Sequence, residues 1–104
     1  MQKNKTGLTE AEITLLQRVF AKFPEVEKAL LFGSRAMGNF RPNSDADIAV
    51  SGKELSEKTI EQIIDELIEE TNFPYLPDVV KLEKIQNEKL LQHIKKFGII
   101  IYKK

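Results

Sequence analysis

With 104 residues, of which 41% are hydrophobic and 31% charged, the chain has the composition of an ordinary globular domain. That balance excludes disordered, collagen-like and low-complexity classes. No apolar run approaches the roughly 20 residues of a membrane span. Sixteen basic and sixteen acidic side chains give zero formal charge, which argues against an extended nucleic-acid groove. The absence of cysteine excludes disulfides and thiolate metal sites. Residues 1–7 are polar and carry no apolar segment of a secretory signal, so a cytoplasmic location is expected.

No repeat or linker-like stretch divides the sequence, and a single domain over 1–104 is expected, with residues 1–7 flexible. Thr9 opens a helix, with Glu12 completing a capping box. Ile13, Leu16, Phe20 and Phe23 then recur at helical spacing until Pro24. Residues 26–32 alternate as a strand, Val26, Lys28, Leu30 and Phe32 on one face, Ala29 and Leu31 on the other. Gly33-Ser34 breaks it, a short helical turn over 35–38 follows, and 39–44 is rich in turn formers. Residues 45–51 form a second strand, ended by Gly52. Residues 56–71 give the clearest helix, its stripe being Ile60, Ile63, Ile64, Leu67 and Ile68. Residues 77–82 read as a third strand, and 87–97 as a helix with Leu90, Leu91, Ile94 and Phe97 inward and Gly98 at its end. A short apolar strand over 98–102 closes the chain. The order α-β-(α)-β-α-β-α-β predicts an α/β (α+β) fold, a small mixed β-sheet with helices packed on it in two layers.

Two features carry chemistry. Asp45 and Asp47 stand at i, i+2, which on a strand puts both carboxylates on one face with their Cα atoms roughly 6–7 Å apart. Unneutralised carboxylates side by side repel, and a divalent cation with its preference for hard oxygen ligands removes that cost. The second feature is Gly33 at the end of an apolar strand, followed by Ser34 and a helix start. Glycine permits close backbone approach, free N–H groups face outward, and the serine hydroxyl adds a donor, which together make a small phosphate cradle with Arg35 as a nearby cation. Alone, a D-x-D is an ordinary strand edge and a Gly-Ser an ordinary turn. Their combination at this spacing is far more specific.

Gly33-Ser34, ten intervening residues and then Asp45-x-Asp47 resembles the signature of the DNA polymerase β-like nucleotidyltransferase superfamily. The longer text LLFGSRAMGNFRPNSDADIAV is similar to its minimal nucleotidyltransferase (MNT) group. The resemblance implies a third carboxylate on the next core strand, and Asp78 in Leu76-Pro77-Asp78-Val79-Val80 matches it. It further implies that Asp45, Asp47 and Asp78 are catalytic and hold two Mg²⁺ ions, which Mn²⁺ can replace, at the ~4 Å separation of two-metal sites. Gly33, Ser34 and Arg35 would then bind the phosphates of ATP or another nucleoside triphosphate.

By the same resemblance the chain is a Mg-dependent enzyme that moves a nucleoside monophosphate, AMP from ATP, to a hydroxyl. Such proteins resemble antitoxins encoded beside HEPN-domain partners, and tyrosine AMPylation of the partner is the implied activity. The rival reading is a nucleotide- or partner-binding module with little turnover, against which the full aspartate set counts. An aminoglycoside-type or polymer-directed enzyme would need an acceptor-binding domain, for which the roughly 20 residues after Leu82 are too few. Direct nucleic-acid or membrane binding is not expected. Arg41 reads equally as a phosphate contact or a solvated loop cation; His93 and Lys81 read as surface residues, and Phe73–Pro77 either lines an open acceptor side or covers the sheet.

Overall fold

The computed structural model describes residues 6–104. Helix α1 (Glu10–Ala21) begins where the capping box predicts: Thr9 Oγ1 accepts from Glu12 N–H and the Glu12 carboxylate from Thr9 N–H. Strand β1 (Lys28–Phe32), the single-turn α2 (Ser34–Met37), strand β2 (Ala46–Ser51) and helix α3 (Glu57–Glu69) follow. Then come strand β3 (Pro77–Lys81), a 3₁₀ turn (Leu82–Lys84), helix α4 (Glu88–Phe97) and strand β4 (Ile99–Lys103). Ser56 and Asn87 cap α3 and α4, each side chain accepting from the backbone N–H three residues on.

The four strands form one mixed sheet in the order β3-β2-β1-β4. β1 pairs antiparallel with β2 and β4, while β2 and β3 run parallel. A parallel pair needs a crossover, and α3 provides it. This topology brings the C-terminal end of β1 beside the N-terminal ends of β2 and β3. Phe32 stands opposite Asp47, and Asp47 opposite Asp78.

Strand alternation sorts the side chains between two apolar clusters. Ala29 and Leu31 of β1, Ala46, Ile48 and Val50 of β2, and Val79 of β3 join Leu16, Val19 and Phe20 of α1 and Ile60, Ile63 and Leu67 of α3. Leu30, Phe32, Ala49 and Val80 face the other way, against Leu90 and Ile94 of α4. Helices therefore cover both faces of the sheet, which replaces the expected two layers with α1 and α3 on one side and α4 on the other. The second cluster is small, because Asp47 and Asp78 take up its share of β2 and β3.

Some positions depart from the sequence pattern. Residues 24–27 turn, with Val26 N–H bonded to Phe23 O, so the alternation starts only at Lys28 and Val26 joins the main core. Ile68 and Leu91 lie at the edges of their stripes and are exposed. Of the stretch 1–7, Thr6 and Gly7 are buried, since Thr6 O accepts from Arg35 Nη1 at 2.8 Å; the rest lies outside the described residues. No helix among the described residues is long and apolar enough to cross a membrane.

Phe20 is fully buried with its ring 5.8 Å from that of Tyr102. Phe20→Ala should lower the unfolding free energy by about 3–5 kcal/mol in urea denaturation, and a loss below about 1 kcal/mol would contradict its place at the centre of the core.

Candidate active site

The site forms on the α4 face where three strand ends meet. Asp47 alternates with Ala49, and Asp78 with Val80, both of the α4-side cluster, so the two carboxylates share that face. Asp47 is half-buried; Asp78 and Asp45 are exposed, Asp45 standing one residue before β2 begins. Desolvation raises the Asp47 carboxyl most; the charge of Asp78, a hydrogen bond with Asp78 that requires a shared proton, and the charge of Asp45 add to it, bringing its pKa to about 6. Asp47 and Asp78 are register partners on one face of adjacent strands, and the charge of Asp45 also acts on Asp47.

Gly33 makes this arrangement possible. Its φ is +75°, a conformation glycine alone adopts without strain, and a Cβ at this position would overlap Asp47 Oδ2. The carboxylate fills the space a side chain would take. Ser34 follows as the first residue of α2, half-buried, and its hydroxyl makes no hydrogen bond among the described residues. Gly38, also at positive φ, ends the turn by donating its N–H to Ser34 O at 2.9 Å.

Arg35 lies elsewhere than expected. It is 1% exposed, and its guanidinium donates to Thr6 O (2.8 Å), to Ser44 O (2.9 and 3.1 Å) and to Pro42 O (3.5 Å). It is also stacked against Tyr75 and Phe40, 3.9 and 4.9 Å from the ring centroids. Its donors tie the 39–44 loop that delivers Asp45 to Thr6. The residue is a strut, and its expected phosphate role is corrected. Arg41, on the same loop, is exposed.

His93 is the residue that sequence reasoning missed. It is half-buried, not a free surface side chain, and its Nε2 accepts the Gly33 N–H at 2.8 Å. Its ring meets Phe32 edge-on at 6.3 Å and Phe97 at 5.4 Å. The signal lay in helical spacing: His93 is three residues from Leu90 and four from Phe97, both on the inward stripe. Lys81 points to the opposite face from Asp78, as expected, but its Nζ donates to Leu55 O at 2.7 Å. Phe73 and Tyr75 pack on the main core and cover the sheet, and Leu76 next to them is 61% exposed.

The donor set suits a divalent cation in kind: carboxylate oxygens, one of them desolvated and raised to a pKa of about 6 beside two other acids. Among the described residues, however, no three carboxylate or histidine side chains are already drawn together around one point. Asp47 and Asp78 are register partners on adjacent strands, and Asp45 stands at the end of the 39–44 loop, one residue before β2.

A mixed sheet that gathers a Gly-Ser turn and strand-borne aspartates at one corner is the frame of a nucleotidyl-transfer domain. The chain belongs to the polymerase β nucleotidyltransferase family, whose profile, described as Polymerase beta, Nucleotidyltransferase, matches residues 15–104. No curated protein sequence matches the chain. Among solved structures, a toxin–antitoxin complex with AMP-PNP aligns at 26% identity and a TM-score of 0.69, over 93% of this chain and 75% of the other. An MNT antitoxin in complex with the tri-AMPylated HEPN toxin of Shewanella oneidensis aligns at 18% identity and 0.69, over 93% and 74%, a likeness of fold. A putative nucleotidyltransferase from Sulfolobus solfataricus aligns at 22% and 0.53, over 100% and 93%. The resemblance to polymerase β-like nucleotidyltransferases is borne out by the family match, and its minimal nucleotidyltransferase side by a toxin–antitoxin MntA–HpeT structure 26% identical at a TM-score of 0.65.

Two outcomes follow from the geometry. In the metal-free protein the Asp47 pKa is raised from 3.8 unfolded to about 6 folded, so the folded state binds the extra proton between those values. The stability this provides is complete below pH 3.8 and is lost as pH rises through about 6. Asp47→Asn should therefore stabilise the metal-free protein by about 1–2 kcal/mol at pH 7.5, after allowing for solvent screening, with the gain vanishing near pH 4 in urea melts under EDTA. Destabilisation at pH 7.5 would show a structural role instead. Arg35→Ala should cost at least about 3 kcal/mol without any nucleotide present; a variant of unchanged stability would return Arg35 to the phosphate site.

Proposed function

We propose that this chain is a Mg-dependent minimal nucleotidyltransferase that moves AMP from ATP to a hydroxyl of a HEPN-type partner protein encoded nearby, acting as its antitoxin in the cytoplasm. The observation that carries the reading is the desolvated Asp47 carboxylate, packed against Gly33 at the start of the Gly33-Ser34 turn with Asp78 and Asp45 beside it. The AMP-PNP complex among the structural neighbours supports a nucleoside triphosphate donor, and the HEPN complex supports the partner class.

In this reading Ser34 Oγ and the backbone of Gly33 and Ser34 hold the β- and γ-phosphates. Asp45, Asp47 and Asp78 would hold two Mg²⁺ ions, which Mn²⁺ can replace. Divalent cations bound there would polarise the acceptor oxygen and offset the charge on the departing phosphates. The acceptor oxygen bonds to the α-phosphorus, the bond from that phosphorus to the α–β bridging oxygen breaks, and pyrophosphate leaves. In this reading Asp78, exposed at the strand end, receives the hydroxyl proton. With Phe73 and Tyr75 folded into the core, the exposed Leu76 beside Asp78 leaves this side open to a partner's hydroxyl. Positioning contributes much of the rate in such transfers, and that open side requires a second chain to supply it.

The test is incubation of the chain with ATP labelled at the α-phosphorus, with and without the neighbouring HEPN-type protein. Label should pass to the partner with release of pyrophosphate, and should fall at least about a hundredfold in Asp47→Asn and Asp78→Asn. Ser34→Ala should weaken triphosphate affinity about tenfold, the worth of one hydrogen bond to a charged acceptor. Nucleotide binding without transfer under any condition would leave a binding module. Efficient turnover on a small soluble acceptor, unaffected by the neighbour, would remove the partner.

A further inference from the structure

Arg35 leaves the phosphate cradle without its expected cation. A triphosphate and three aspartates together carry more negative charge than two divalent cations neutralise, so the cradle draws positive charge from another element as well. The one element that already reaches it is α4, because His93 Nε2 accepts the Gly33 N–H. That N–H is a single donor. A phosphate oxygen that accepts it must displace the imidazole acceptor and then lies against the α4 surface around His93.

That surface is basic. Lys89, His93 and Lys96 are spaced by four and three residues, which places them in one stripe along the helix. Lys89 and Lys96 are both exposed, and neither takes part in an ion pair among the described residues. Lys96 Nζ lies 5.3 Å from the Phe97 ring, the same ring that stacks on His93. The only acid of the helix, Glu88, is in its first turn and off the stripe. On the other side Ile94 and Leu90 pin the helix to Phe32 and Ala49, which fixes its distance from the strand end.

We propose that α4 forms a cationic wall of the nucleotide site, with Lys89 and Lys96 flanking His93 and binding the β- and γ-phosphates of a nucleoside triphosphate. This inference rests on the nucleotidyltransferase reading and deepens it: it assigns the counter-charge that makes the site selective for triphosphates over monophosphates.

The test uses the whole chain with Mg²⁺ and calorimetric titration of AMP-PNP and of AMP. The double variant Lys89→Gln/Lys96→Gln is compared with Lys95→Gln/Lys103→Gln, which removes equal charge from another face of α4 and from the far end of β1, where Lys103 pairs with Lys28. AMP-PNP affinity should fall about tenfold in the stripe variant, the scale of two exposed charge pairs, with AMP changed less than about twofold. The control variant should lose less than about twofold for either ligand. Equal losses in both variants, or equal losses for AMP and AMP-PNP, would overturn the wall. Failure of the unsubstituted chain to bind AMP-PNP would instead defeat the nucleotide reading on which the wall stands. Thermal melts of each variant without nucleotide, expected within about 2 °C of the parent, separate lost binding from lost fold.

Discussion

The corner where β1 ends depends on one close packing: the Asp47 carboxylate occupies the space in which a side chain at residue 33 would stand. Burying a carboxylate there is unfavourable, and the site does nothing to offset it internally. Among the described residues no arginine or lysine pairs with Asp47, and the charges of Asp78 and Asp45 make matters worse. A fold selected for stability alone would not place three acids at one strand corner. The proposed function gives the pair its reason: unpaired charge at this corner would hold cations, and through them a polyphosphate.

The surrounding structure is arranged to keep that corner fixed. Antiparallel β1–β2 and parallel β2–β3 pairing bring Asp47 and Asp78 into register, and the crossover helix α3 makes the parallel pair possible. Arg35 ties Thr6, Pro42 and Ser44 together between two aromatic rings, so the loop that ends in Asp45 is anchored from within. On the opposite side His93 and the Leu90–Ile94 contacts hold α4 against the strand end. The site is thus framed by a rigid sheet corner, a braced loop and a docked helix.

Much of this was legible in the residues. The capping box at Thr9, the strong stripe on α3 and the Gly-Ser to Asp-x-Asp spacing each express a local rule, so their elements fall within a residue or two of expectation. Asp78 was legible only through family resemblance, since an aspartate opening a strand says nothing alone. Arg35 and His93 were misread for one reason: burial of a polar side chain is decided by tertiary partners. Nothing near Arg35 in the sequence announces that Thr6 and Tyr75 will enclose it, and nothing near Gly33 announces an imidazole from 60 residues away. The layer count failed similarly, because the few apolar residues of α4 pass equally for an edge helix or for the cover of a second face.

Asp47 is desolvated beside the acidic Asp78 and Asp45, and in the proposed function it awaits a cation. Carboxyl-carbon NMR titration of Asp47, in the metal-free protein and with saturating Mg²⁺, tests it most directly. A midpoint near 6 is expected without metal, moving down by more than a unit when Mg²⁺ is added. A midpoint near the ordinary aspartate value without metal, indifferent to Mg²⁺, would contradict it.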